Sequence, residues 1–445
     1  MNRTESNVNT GPAAQEAREH PVWFDGRHVN ERRFCEDFLS RRPMRTLQGR
    51  FLTADGFLED ENVLGRQILA EIGPYVNSGV SRTVANMIAC MRLQAEPAAA
   101  QTDLDRIHAA NGTLFLDGTF SQSRLICVNR LRVAYNPKAP APKTWLRFLN
   151  DLLYPEDVAT LQEYLGYCLI PTTKAQRMMM ILGRGGEGKS QIGRVLSSIF
   201  GPNMSTSSIQ KIETNRFARA DLENRLLMVD DDMDMNALPK TNHIKSIVTA
   251  QYAMDVERKG IQSYQAQLYV RFLCFGNGAL ESLYDKSDGF YRRQIILTAK
   301  ERPKNRRDDP FIAEAMIAER EGIFNWMLAG LHQLLSDNFR FRISARTEEN
   351  LRSVRSSSNN ILDFLCSEGY IRWRADREIS SRALYRCYQD WCEDNALKPL
   401  SAQRLINELR QNEEKYGAEY SNNIIWAGKR VRGFLGIEAV SGQQL

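Results

Sequence analysis

Gly183-Arg-Gly-Gly-Glu-Gly-Lys-Ser190 lies between the apolar run Met178-Met-Met-Ile-Leu182 and the amphipathic run Gln191-Ile-Gly-Arg-Val-Leu-Ser-Ser-Ile-Phe200. Strand, glycine-rich loop and helix, in that order, form the context in which G-x-x-x-x-G-K-[ST] cradles a polyphosphate. The glycines let successive backbone N–H groups turn toward one anion, and the helix that follows points its positive end at the same place. We assign Gly183, Gly185, Gly186, Glu187, Gly188, Lys189, Ser190 and Gln191 to a nucleoside-triphosphate site. Lys189 is expected on the β- and γ-phosphates, and the Ser190 hydroxyl on Mg²⁺. What the site does with its nucleotide must come from the rest of the chain.

The bulk properties set limits. A chain of 445 residues exceeds one compact core, so several domains are expected. No apolar run approaches the roughly 18 residues of a membrane span, and the first residues lack a secretory core. Of eight cysteines only Cys387 and Cys392 are close, with no second pair to complete a zinc site, so reduced thiols in a cytoplasm are expected. The net charge of +5 is mild, but arginines collect around 41–45, 292–293, 300–307 and 340–355, which permits a nucleic-acid partner.

Composition and periodicity divide the chain. Residues 1–20 read as a flexible tail, and 21–100 as a small α+β domain with a helical run from Val63 to Ile72. Residues 101–172 hold strands around Asn111–Gly118 and Leu125–Val128, then helices over Trp145–Leu153 and Pro155–Tyr167. From 173 to 337 strands alternate with helices, the pattern of a parallel sheet covered on both faces. A charged, serine-rich linker is expected over 338–360. Residues 361–445 read as three helices followed by two strands near Ile424 and Val431, a helix-helix-helix-wing order.

Three further elements surround the loop. Asn224-Arg-Leu-Leu-Met-Val-Asp-Asp-Asp232 is an apolar strand ending in acids, on a strand expected to sit beside the loop. A carboxylate at such a tip holds Mg²⁺, and a neighbour orients the attacking water. Asp230 is assigned to the metal and Asp231 to the water; an acidic surface turn is the plainer alternative. Gln267-Leu-Tyr-Val-Arg-Phe-Leu-Cys-Phe-Gly-Asn277 ends a third strand on Asn277, placed to bond the γ-phosphate or its water, although asparagine also closes ordinary turns. Between them Asp255-Val-Glu-Arg-Lys-Gly-Ile-Gln262 reads as a hairpin with Arg258 and Lys259 at its tip. Asp288-Gly-Phe-Tyr-Arg-Arg-Gln-Ile-Ile-Leu297 then sets two arginines ahead of a strand, and an arginine donated across a subunit boundary stabilises charge on a transferring phosphoryl group.

In this order and spacing, the set resembles the superfamily 3 helicases. More narrowly, it is similar to the helicase part of phage and plasmid primase-helicases, relatives of the poxvirus nucleoside-triphosphatase. The similarity extends from Asn111 through Leu161-Gln-Glu-Tyr-Leu-Gly-Tyr167 and includes Leu384-Tyr-Arg-Cys-Tyr-Gln-Asp-Trp-Cys392 and Arg430-Val-Arg-Gly-Phe-Leu-Gly-Ile437 in the tail. The resemblance implies an α/β fold: a P-loop, AAA+-like ATPase with a parallel sheet, preceded by a mostly helical region and followed by a C-terminal winged-helix domain. It implies a collar over 101–172 and a homo-oligomeric ring, usually a hexamer, with ATP at the subunit boundaries. Lys189, Ser190, Asp230, Asp231 and Asn277 would then act from one subunit, and Arg293, or alternatively Arg292, from its neighbour. Lys259, helped by Arg258, would grip the phosphates of one DNA strand. Movement from 3′ toward 5′ is what the family suggests.

The expected function is an ATP-driven helicase on single-stranded and forked DNA in replication of a phage, plasmid or other mobile element. An initiator or primase of the same element is an expected partner. Residues 1–100 lack the clustered acids or zinc cysteines of a primase, so no primer synthesis is expected. One competing reading is an initiator or loader ATPase that grips DNA without unwinding it. Another is a small-molecule kinase, which would need neither hairpin nor arginine pair nor winged helix.

Overall fold

The computed structural model describes residues 20–58, 60–98, 103–233, 241–250, 252–277, 288–303, 305, 307–358, 360–367, 369–395, 397 and 399–440. The chain divides into two compact units, the first ending at Arg130 and the second beginning at Leu131.

In the first unit, helices Glu31–Arg41, Glu61–Ile72 and Val80–Gln94 accompany a small antiparallel sheet of Arg45–Leu47, Arg50–Thr53 and Gly56–Phe57. Side-chain caps start the first two helices: Asn30 accepts the N–H of Arg33, and Asp60 that of Asn62. Phe34, Phe38, Ile68 and Met87 close the core. A second antiparallel sheet joins Arg106–Ala109, Gly112–Phe115 and Phe120–Ser121. The strand expected at Leu125–Val128 does not form. Instead the buried Arg130 guanidinium donates to the carbonyls of Leu125, Ala109 and Gly112, so a side chain takes the acceptor at Leu125 that a ladder would have used.

The second unit is built on five parallel strands. Across the sheet they run Gln294–Thr298, Met178–Gly183, Arg271–Asn277, Leu227–Met233 and Met204–Thr206. Their near-continuous apolar runs are those of strands covered on both faces. Met178 to Ile181 and Phe272 to Phe275 are essentially buried throughout. One expectation needs correcting here. The acid-bearing strand does not lie beside the loop strand; the strand ending in Asn277 is inserted between them, with Asn277 in register with Gly183.

Helix Ser190–Phe200 leaves the phosphate loop and packs its Ile192, Val195, Leu196 and Ile199 face inward. Helix Pro155–Tyr167 crosses Arg320–Ser336 closely. A Cβ at Gly166 would meet the Leu331 nitrogen and Met327 oxygen at 2.4 Å, and one at Gly330 would meet the Gln162 oxygen at 2.3 Å. Tyr164 then donates to the Phe272 carbonyl at 2.6 Å, tying this pair of helices to a central strand. The stretch expected as a linker contains helix Ala345–Ser358, whose Asn350 side chain donates to the Ile296 carbonyl.

The C-terminal part of this unit has its own core around Phe364, Leu384, Tyr388, Leu405 and Phe434. The three helices expected here are Asn360–Leu365, Ser381–Asp394 and Ala402–Gln411. The sheet has three strands rather than two, because Ile371–Ser380 pairs with Lys429–Ala439 on the side opposite Glu419–Trp426. Six consecutive exposed residues and a break in register between Trp373 and Glu378 hide this strand from periodicity. The architecture is a P-loop, AAA+-like α/β ATPase core, with a largely helical region before it and a winged helix after it.

Candidate active site

The carboxyl ends of the central strands open into a cavity of about 620 Å³. In open α/β sheets this is the edge where ligands bind. The loop from Gly185 to Gln191 forms one wall. Gly185, Gly186 and Gly188 all have positive φ, the conformation that lets the backbone curl around an anion. Gly183 is required for a different reason: a Cβ there would come within 2.7 Å of both Glu187 Oε1 and Lys189 Nζ.

Lys189 is buried, and its ammonium donates to Glu187 Oε2 at 2.7 Å and to Asn277 Oδ1 at 3.3 Å. Glu187 is buried as well. Its other oxygen accepts the backbone N–H groups of Arg184 and, at 2.9 Å, Gly185. Burial pushes the Glu187 carboxyl up, but the hydrogen bonds from Lys189 and the loop backbone outweigh it, so it lies below the usual glutamate range. The loop thus contains an ionised acid that contacts its own lysine.

The acid strand separates its three aspartates. Asp231 and Asp232 line the cavity, whereas Asp230 is buried and accepts the backbone N–H of Ile209 at 2.8 Å. Asp230, assigned to the metal from the sequence, stands at the start of helix Ile209–Thr214 and is not among the residues that line the cavity. Burial pushes its carboxyl up from the ordinary aspartate value. The ladder is irregular just here, with Cys274 opposite Asp230 but Gly276 opposite Met233, and this break in alternation lets both Asp231 and Asp232 line the cavity, a fact the run Asp230-Asp-Asp232 conceals. The hydroxyl of Ser190 and the carboxylates of Asp231 and Asp232 are hard oxygen donors around one cavity, a set that fits Mg²⁺ completed by phosphate and water.

Arg302 was not singled out from the sequence. It lines the cavity with its Nη1 3.4 Å from where a Gly186 Cβ would be, and it pairs with Asp308 at 2.9 Å. It was one arginine in a basic stretch, and only the return of the chain over the loop distinguishes it. Glu301 also reaches back, to Arg184 at 2.7 Å.

Arg292 and Arg293 lie elsewhere. Their strand runs parallel to the loop strand with Gln294 opposite Met178, so both arginines stand at the amino end of the sheet. The five-residue strand alone separates them from the carboxyl edge by about 16 Å. Arg292 is exposed and Arg293 half-buried, and Arg177 donates to the Arg292 carbonyl.

The hairpin is formed by Met254–Arg258 and Ile261–Ala266, with Gly260 at φ +78° in the turn. Its two cations differ. Arg258 pairs with the buried Glu223 at 2.7 Å, which also accepts from the Tyr264 hydroxyl at 2.6 Å, whereas Lys259 is exposed at the tip.

Known proteins resemble this chain in two segments. Residues 181–293 match a family model described as "Family of unknown function (DUF5906)", and residues 356–439 match "Poxvirus D5 protein-like". Two apo structures of the C-terminal region of NrS-1 share the fold. One has a TM-score of 0.53 at 13% identity, covering 88% of this chain and 92% of that one. The other has a TM-score of 0.52 at 12% identity, covering 91% and 99%. No curated protein matches the chain. Among the described residues, no helix is long and apolar enough to cross a membrane.

Proposed function

We propose that this protein is an ATP-dependent DNA helicase of the superfamily 3 type, working as a ring of identical subunits, with six the expected number. The observation that carries the reading is the separation of the phosphate loop and the arginine pair to opposite ends of one sheet. Within one chain Arg292 and Arg293 cannot reach their own nucleotide, but a neighbour in a ring can present them there. Lys189 would then neutralise the β- and γ-phosphates, Ser190 and Asp231 would hold Mg²⁺, and Asn277 would orient the γ-phosphate or its water. Mg²⁺ supplies charge neutralisation at the phosphates. Asp232 stands beside Asp231 as the second acid facing the nucleotide.

Lys259 presents a positive charge at the hairpin tip, suited to the backbone of one strand and indifferent to base sequence. Its proposed setting is replication of a mobile element, a reading supported by the similarity of the C-terminal segment to poxvirus D5-like proteins. Movement is in the 3′ to 5′ direction on the gripped strand.

Strand displacement is the decisive test. With ATP and Mg²⁺ the protein should release a labelled strand from a forked duplex, and Lys189→Ala should abolish release. ATP turnover and DNA binding without displacement would instead establish the gripping initiator or loader. ATP turnover indifferent to single-stranded DNA would remove the translocating ring.

A further inference from the structure

Glu187 is the unusual member of the loop, because an acid here faces the same cavity as a polyanion. Simple repulsion would make it harmful to nucleotide binding. Its contacts show a different use. One carboxylate oxygen accepts two backbone N–H groups from the first half of the loop, at Arg184 and Gly185. The other accepts from Lys189 at 2.7 Å. The single side chain therefore joins the start of the loop to the lysine near its end. A lysine ammonium has three N–H donors; Glu187 and Asn277 accept two, which leaves one for a phosphate oxygen.

We propose that Glu187 is a positioning residue, which shapes the empty loop and holds Lys189 so that its remaining N–H meets the β- and γ-phosphates. The inference rests on the nucleotide-binding part of the proposed function and not on unwinding. Three features support it. Glu187 and Lys189 are both buried, so their hydrogen bonds are little diluted by water. The carboxyl lies below the usual glutamate range despite burial, so it is charged wherever the enzyme works. Gly183 leaves room for the pair directly above it, where a methyl group would collide with both partners. Orientation of a long, flexible side chain in advance removes an ordering cost from the binding step.

The alternative is that Glu187 competes with phosphate for Lys189, and the two ideas predict opposite signs. In Glu187→Gln the amide keeps an oxygen for the loop N–H groups but turns a donor toward the ammonium, so Lys189 loses its anchor. The measurement is the affinity of the 445-residue protein for fluorescent ATP and ADP analogues with Mg²⁺, alongside thermal unfolding. Positioning predicts that Glu187→Gln melts like wild type and weakens ATP about tenfold, with a clearly smaller loss for ADP, which lacks the γ-phosphate Lys189 bridges. Glu187→Ala should weaken ATP further. Unchanged or tighter ATP binding would overturn the proposal in favour of competition. An equal loss for ATP and ADP would also overturn it, reducing Glu187 to a scaffold of the loop. If the wild-type protein itself binds neither analogue, the nucleotide reading fails instead, and the two failures are thus distinct.

Discussion

The two ends of the five-stranded sheet carry opposite chemistry. At the carboxyl end, Glu187, Asp231, Asp232, Asp308 and Asp309 outnumber Lys189 and Arg302 around the cavity. At the amino end, Arg177, Arg292 and Arg293 gather. A cavity with more acids than bases is a poor host for ATP unless cations arrive from outside, as Mg²⁺ and as arginine from another copy. The difference teaches that neither end is a complete site. In the proposed ring each is half of one, and the halves of a single chain stay apart because the parallel strands lie between them.

The largest effect tests that division directly. Arg293→Ala should lower ATP turnover about 10³-fold while leaving ATP binding nearly intact, the scale at which a donated arginine acts. Mixing Arg293→Ala with Lys189→Ala subunits should restore part of the activity, because some boundaries then pair an intact loop with an intact arginine. Absence of recovery at any ratio would break the comparison. Substituting Arg292 in the same experiment decides which arginine is donated.

A second test sharpens the acid strand. Asp231→Asn should lower turnover about 100-fold, since it removes a charge facing metal and phosphate. Asp230→Asn should change turnover little, because the amide oxygen can still accept the Ile209 N–H. Their stabilities should differ with pH as well. Burial raises the Asp230 carboxyl above its ordinary value of 3.8, so the folded chain binds this proton more readily than the unfolded chain. The charge therefore costs stability above the raised value, and the cost disappears below about 3.8. Asp230→Asn should accordingly raise the melting temperature at pH 7 and have no such benefit in acid. A gain independent of pH, or a turnover loss equal to that of Asp231→Asn, would return Asp230 to the metal.

The smallest effects distinguish the two hairpin cations. Lys259→Ala should leave folding and basal ATP turnover unchanged but reduce stimulation by single-stranded DNA, with a shallower salt dependence of binding. Arg258→Ala should instead cost about 1–3 kcal/mol in stability, because it takes a charged partner from buried Glu223. Equal stability for both variants would show that the Arg258 contact contributes nothing. Denaturant titration and DNA-stimulated ATPase measurements separate the two effects.

Much of this was legible in the chain because it depends on neighbours in sequence. The loop, the helix after it, the apolar strand ending in Asn277 and the hairpin at Lys259 all follow from local spacing and turn chemistry. The helices of the C-terminal part were equally clear from their apolar stripes. The strand Ile371–Ser380 was not, because its exposed, charged middle hides its pairing with Lys429–Ala439. Leu125–Val128 was misread for the converse reason: an apolar run suggested a strand, but Arg130 occupied the carbonyl at Leu125.

The sequence by itself determined that a polyphosphate site exists, which residues form its loop, and the order in which acids, hairpin and arginines follow. These are properties of short segments, whose backbone preferences act wherever the segment lies. Only the tertiary structure decided which aspartates face the cavity, that the Asn277 strand separates loop from acids, and that Arg302 returns to the cavity while Arg293 ends at the opposite end of the sheet. Those facts depend on strand order and on which side of the sheet a residue faces. Both are set by packing between segments distant in the chain, where local spacing carries no information.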